Sequence, residues 1–232
     1  MDMKIKIIWH YFLDLFYPNL CCVCNESLMT GEQVVCLKCI NDIPRTNFHK
    51  QPNNIIEKRF WGKVSIERAT AFYFFQKGSK YQKILHLLKY KNGKEIGYIF
   101  GKYAASELIE VEDFQHFDYL VPVPLHPSKL QKRGYNQSEQ IALGLSEILK
   151  SPIETQNLYR AIANPTQTKK SVYERWENTD GIFKIHDTNT FAGKHILLID
   201  DVLTTGATLI ACANAILQSQ NAKVSIFTLA VA

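Results

Sequence analysis

The chain has 232 residues, 46% of them hydrophobic, enough for one or two domains with a sizeable core. Its 27 Lys and Arg against 22 Asp and Glu leave a formal net charge of +5, which permits phosphate-rich ligands or nucleic acid without demanding them. No apolar stretch is long enough to span a bilayer, so no stable membrane insertion is expected.

Residues 3–17 predict a short amphipathic helix. Ile5, Ile8, Trp9, Phe12, Leu15 and Phe16 fall near helical spacing, and Pro18 follows the stop. Its polar face is not basic enough for a membrane-surface helix, so core packing is expected. Asp14 interrupts the apolar run and no small-residue cleavage site follows. No signal peptide is expected, and a cytoplasmic location is.

The next stretch is CCVCNESLMTGEQVVCLKC. Cys21 and Cys24 form one C-x-x-C pair, and Cys36 and Cys39 a second. Thiolates at this spacing can converge on one tetrahedral Zn²⁺. Disulfides are disfavoured in a cytoplasmic chain. Cys22 is the odd thiol and can replace Cys21, although C-x-C is the less comfortable spacing. Four protein ligands leave no open position, so this zinc is expected to be structural. Residues 41–66 carry Pro44, Pro52, Asn53 and Asn54, with Arg45, Lys50, Lys58 and Arg59 interleaved with Phe48, Phe60 and Trp61. The pattern suits a connector whose aromatics pack on the next domain. It also suits a single-stranded nucleic-acid surface.

Residues 69–75 (ATAFYFF) predict a strand, residues 81–90 a helix, and residues 95–109 another helix. Lys89, Lys91 and Lys94 lie around Gly93, as a solvated face or as an attraction for a polyanion. Leu120, Val121 and Val123 predict a strand ended by prolines. The basic turn Lys129, Lys132, Arg133, Gly134 follows, and then a helix with Asn136 as N-cap and Glu139 three residues on. Strand, basic loop and capped helix make an anion site, with Arg133 and Gly134 against the helix start. A polar segment runs from Arg160 through residue 178. Arg160, Gln167 and Arg175 are its candidate ligand contacts, while Lys169 and Lys170 fit a plain surface loop equally well.

Residues 195–209 read HILLIDDVLTTGATL. Ile196 to Ile199 predict a strand buried on both faces of a parallel sheet. Asp200 and Asp201 then repel each other, and make sense at the carboxyl edge of an open α/β sheet, where ligands bind. Thr204, Thr205, Gly206, Ala207 and Thr208 leave backbone N–H groups open at a helix start, an anion cradle suited to phosphate. Helix capping alone would explain one Asp or one Thr, but not two acids and three threonines in one turn. Further short strands are expected over residues 183–185 and 223–231. No Walker A loop, G-x-S-x-G elbow or H-E-x-x-H occurs.

The apolar strand, Asp-Asp and TTGAT resemble the phosphoribosyl pyrophosphate (PRPP) motif of type I phosphoribosyltransferases. The resemblance implies that Asp200 and Asp201 hold the ribose hydroxyls and act in catalysis. It implies that Val202, Leu203, Thr204, Thr205, Gly206, Ala207 and Thr208 wrap the 5′-phosphate. The stretches VPVPLHPSKLQKRGYNQS and TQTKKSVYERWEN, with LLIDDVLTTGATL and the four-cysteine module, resemble the ComF family of competence-associated proteins over nearly the whole chain. Tyr135 stands where Phe is commoner in that family. The resemblance implies an α/β phosphoribosyltransferase-like fold, a mostly parallel sheet flanked by helices, with a small N-terminal zinc-binding module. The expected division is residues 1–60 for the helix, zinc module and connector, and residues 61–232 for the phosphoribosyltransferase-type domain. It also implies PRPP with Mg²⁺, Arg133 near pyrophosphate, a mobile loop over residues 164–178 that closes on PRPP, and a place in the uptake and processing of transforming DNA. The implied activity is phosphoribosyl transfer to an unspecified acceptor, a glycosyltransferase-class reaction. The alternative is a non-catalytic protein binding PRPP, a nucleotide or single-stranded DNA, and engaging competence-machinery proteins through the zinc module.

Overall fold

The structure, a computed structural model, describes residues 18–90, 93–161 and 181–232. The helix expected over residues 3–17 lies outside them. The strands are β1 (Ala69–Phe74), β2 (Tyr119–Pro122), β3 (Leu158–Arg160), β4 (Phe183–Ile185), β5 (His195–Leu203) and β6 (Lys223–Val231). The α-helices are α1 (Leu37–Asp42), α2 (Ile55–Lys58), α3 (Gln82–Leu87), α4 (Gly93–Leu108), α5 (Pro127–Arg133), α6 (Gln137–Leu149) and α7 (Ala207–Ile216).

Four strands form one parallel sheet in the order β1-β6-β5-β2, while β3 and β4 pair antiparallel as a separate ribbon. Ile196 to Ile199 are fully buried, as a strand covered on both faces requires. Alternation then sorts the side chains. Leu197, Ile199, Phe227 and Leu229 pack with Phe100 of α4 and Ile141 and Leu145 of α6. Ile196, Leu198 and Ile226 pack with Leu209, Cys212 and Ile216 of α7 on the other face. Each such Leu, Ile or Phe contributes about 1.5–3 kcal/mol by burial. Pro122 is tolerated because β2 is the outer strand of this ladder and can spare an N–H. Helices α4 and α6 meet through Gly97, Gly101 and Gly144. A Cβ on Gly144 would collide with the Tyr98 carbonyl oxygen.

The N-terminal residues are built into these two cores. Val23, Val35, Ile40 and Ile43 share one core with Phe72 and Tyr73 of β1. Ile56 and Phe60 join the α7 core, while the neighbouring Trp61 is 55% exposed. Asn54 caps α2, accepting from Ile56 and Glu57 backbone N–H groups, and its amide donates to the Ala69 carbonyl at 2.9 Å. Arg68 donates to Glu57 at 2.9 Å in a buried pair. The segment expected as a connector is therefore clamped to the first strand.

Candidate functional site

Strands β2 and β5 are parallel neighbours whose following helices lie on opposite faces, α6 on one and α7 on the other. The chain diverges at their carboxyl ends and leaves a crevice there, the position where open α/β sheets bind ligands. A cleft of about 200 Å³ occupies this point, floored by Asp200 and Asp201. A second hollow of about 40 Å³ adjoins it, lined by Thr204 to Thr208. Gly206 takes φ +82°, a left-handed turn that suits glycine, and is the N-cap of α7 without a side-chain cap. The first N–H groups of α7 are thus available to an anion at the hollow, apart from that of Ala207, which reaches Thr205 Oγ1 at 3.4 Å.

The acids are held by this chain's own donors. Asp200 Oδ1 accepts from Ser138 Oγ at 3.0 Å and from the Asp201 backbone N–H at 2.9 Å. Burial and the adjacent Asp201 charge nevertheless push the Asp200 carboxyl up to about 7. Burial also raises Asp201, against the pull of Lys89 and Arg133. Lys89, Lys129, Arg133 and Arg160 line the same cleft, so an acidic floor faces a cationic wall.

Local sequence builds that wall. Helix α5 ends at Gly134 (φ +77°), whose N–H donates to Leu130 O at 2.7 Å. Asn136 then caps α6, its side chain accepting from the Ser138 N–H rather than from that of Glu139, and its amide donates to Val123 O at 2.9 Å. The first turn of α6 is so fixed against β2. Tyr135 has its hydroxyl 2.6 Å from Leu88 O and 2.5 Å from Tyr90 O, bracketing Lys89. Gln137, 2% exposed, lines the cleft with its amide nitrogen buried and without a partner among the described residues. A donor so left is costly until a ligand oxygen meets it.

Of the residues singled out from the sequence, Asp200, Asp201, Thr208, Arg133 and Arg160 come together on the cleft. Thr204, Thr205, Gly206 and Ala207 form the adjoining hollow with Val202 and Leu203. Leu203 is fully buried. Gly134 shapes the turn and does not line the cleft. Gln167 and Arg175, with the 164–178 segment, lie outside the described residues. Ser138 and Gln137 were not foreseen. Their signal was the NQS run itself, read for its cap alone.

The cysteines form a second centre. The Sγ atoms of Cys21, Cys24, Cys36 and Cys39 all lie within 4.8 Å of one another. Cys24 and Cys36 are 3.8 Å apart, the edge of a tetrahedron with Zn–S of about 2.3 Å. The Cys36 backbone N–H donates to Cys21 Sγ at 3.3 Å. Burial opposes the Cys21 thiolate, but N–H donors from Cys24, Cys36 and Val23 bring the thiol down to about 7. Cys22 stands outside the cluster, and burial with the nearby Cys21 charge pushes it up to about 12. The donor set fits zinc, with Cys21 rather than Cys22 as the fourth ligand. Among the described residues no helix is long and apolar enough to cross a membrane.

The phosphoribosyl transferase domain family matches residues 97–232. The DNA utilization protein YhgH of Escherichia coli (strain K12) is 26% identical, over 94% of this chain and 92% of its own length. The competence protein ComFC of Bacillus subtilis (strain 168) is 34% identical, over 64% of this chain and 58% of its own. A solved structure of glutamine PRPP amidotransferase from B. subtilis superposes with a TM-score of 0.43 at 17% identity, over 62% of this chain and 30% of that one. With a switch-point cleft, an Asp-Asp floor and a TTGAT turn already in place, the chain belongs to the phosphoribosyl transferase domain family and is a ComF-family protein.

Proposed function

We propose that the chain binds PRPP and transfers its phosphoribosyl group to an acceptor nucleophile, in the DNA-utilization and competence setting for which its relatives are named. The observation that carries this reading is one cleft in which Asp200 and Asp201 lie between a phosphate-sized hollow and a cationic wall. Asp200 and Asp201 hold the ribose hydroxyls and oppose positive charge growing at C1. The 204–208 turn and the α7 N-terminus bind the 5′-phosphate, which converts affinity for a remote group into alignment at C1. Lys89, Lys129 and Arg133 draw the pyrophosphate away as its oxygen takes the electron pair of the C1–O bond. Gln137 donates to an oxygen of the bound ligand, which satisfies its buried amide. Asp200 and Asp201 would hold Mg²⁺ together with PRPP, and the ion when bound would supply positive charge to the pyrophosphate oxygens. Zinc on the four cysteines is structural, and a reducing compartment, the cytoplasm, keeps them from forming disulfides.

Calorimetry with Mg·PRPP tests this reading. The wild type is expected to bind, and Asp200→Asn/Asp201→Asn to lose binding by at least about a hundredfold, as for two lost charged contacts. Equal binding by both proteins would sink the assignment. A second reading, single-stranded DNA binding without turnover, draws on Trp61, 55% exposed with Lys58 Nζ 5.9 Å from its ring centroid. It would be favoured by absent PRPP binding together with DNA affinity that falls steeply with salt.

A further inference from the structure

The turn from Thr204 to Thr208 is gripped from outside by a residue of the N-terminal segment. Arg59 Nη1 donates to the Thr204 carbonyl at 2.7 Å, and Arg59 Nη2 donates to the Ala232 backbone oxygen at 3.1 Å. Ala232 N–H in turn donates to the Leu203 carbonyl at 3.0 Å. One guanidinium thus ties the phosphate turn to the end of β6. Beneath the turn lies the fully buried ring of Phe60, 3.5 Å from where a Cβ on Gly206 would stand.

Arg59 has a rigid base. It is the C-cap of α2, and its own N–H donates to Ile56 O at 3.0 Å. Helix α2 is held by the Asn54 cap, by the Asn54 bond to Ala69 O, and by the buried Glu57–Arg68 pair. A planar trans peptide has its C=O and N–H on opposite sides. A Thr204 carbonyl drawn outward to Arg59 therefore turns the Thr205 N–H inward, toward the hollow.

We infer that Arg59 is a positioning residue for the 5′-phosphate cradle, so that the cradle is composite, its backbone from the β5–α7 turn and its brace from the N-terminal segment. The inference rests on the PRPP reading above. Arg59 lines neither the cleft nor the hollow. It acts by fixing which way a peptide dipole points. Its planar fork suits two backbone oxygens at once, which a lysine ammonium cannot reproduce.

The test is calorimetry on the full 232-residue chain with two probes. Ribose 5-phosphate reads the cradle, and inorganic pyrophosphate reads the cationic wall. Arg59→Ala is expected to weaken ribose 5-phosphate binding about tenfold, the size of one lost charge-assisted hydrogen bond, with pyrophosphate affinity unchanged. Arg59→Lys, which keeps the charge and loses the fork, is expected to fall between. Retained pyrophosphate binding certifies that each variant is folded. Wild-type ribose 5-phosphate affinity in Arg59→Ala would overturn the inference, and so would an equal loss for both probes, the mark of a general structural effect. A wild type that binds neither probe would defeat the PRPP reading and this inference with it, an outcome distinct from failure in the variant alone.

Discussion

At the scale of single residues, Asp200 is an acid of the cleft whose charge the fold tolerates poorly. Burial and Asp201 lift its carboxyl from 3.8 to about 7. The fold thus favours the protonated form. The stability this gives is fully present below the unfolded value of 3.8 and is lost as pH rises through about 7. Asparagine keeps the oxygen that accepts from Ser138 and Asp201 and has no proton to lose. Asp200→Asn should therefore match the wild type near pH 4 and exceed it at pH 8 by about 1–3 kcal/mol. Urea unfolding at stepped pH measures this, and a gap that does not change with pH would refute the account. The aspartates and the TTGAT turn could be read from the sequence because their chemistry is contiguous along the chain. The Ser138 bond to Asp200 spans 62 residues, and the Arg59 bond to Thr204 spans 145. No local pattern encodes such partners, since they meet only when the sheet brings its carboxyl ends together.

At the scale of elements, the site depends on how closely α4 and α6 approach. Helix α6 carries Gln137 and Ser138 on its first turn, and its depth on the sheet sets where they fall. Gly144 lets that helix lie against the Tyr98 carbonyl with no room for a methyl group. The Tyr98 and Lys102 atoms it would meet are all helix backbone, so no side chain can swing aside. Gly144→Ala should cost about 1–3 kcal/mol in urea unfolding as the helices part, and an unchanged midpoint would show the packing to be looser than described. The helices themselves were legible, residues 81–90 and 95–109 being expected against Gln82–Leu87 and Gly93–Leu108 observed. Apolar periodicity reports such faces directly. The short α2 was not legible. Prolines and asparagines around it read as a connector, while Phe60 owes its burial to the α7 core across the fold. Basic residues beside aromatics therefore meant two things in one segment: Phe60 is core, and Trp61 faces solvent.

At the scale of the whole molecule, the question is whether the cysteine cluster folds apart from the sheet. Cys21, Cys36 and Cys39 are buried in the same core as Tyr73 of β1 and Leu88 after α3. Lys83 of α3 donates to Val23 O at 3.3 Å, and Lys80 lies 3.7 Å from Asp42. Helix α3 leads directly to Lys89 on the cleft. Losing the metal would leave four thiols within 4.8 Å of one another without the ion that ties them together, and the core beneath β1 would loosen. Loss of a structural metal costs about 4 kcal/mol or more, which in a chain of this size lowers the thermal midpoint by about 8–16 °C. Cys39→Ser, or zinc removal by a chelator, should therefore lower one cooperative transition of the entire chain and weaken Mg·PRPP binding through Lys89. Calorimetric scanning separates this from the modular alternative. Two transitions, with only the lower one responding to the chelator and ligand affinity unchanged, would mean that the module hangs from the sheet without supporting it.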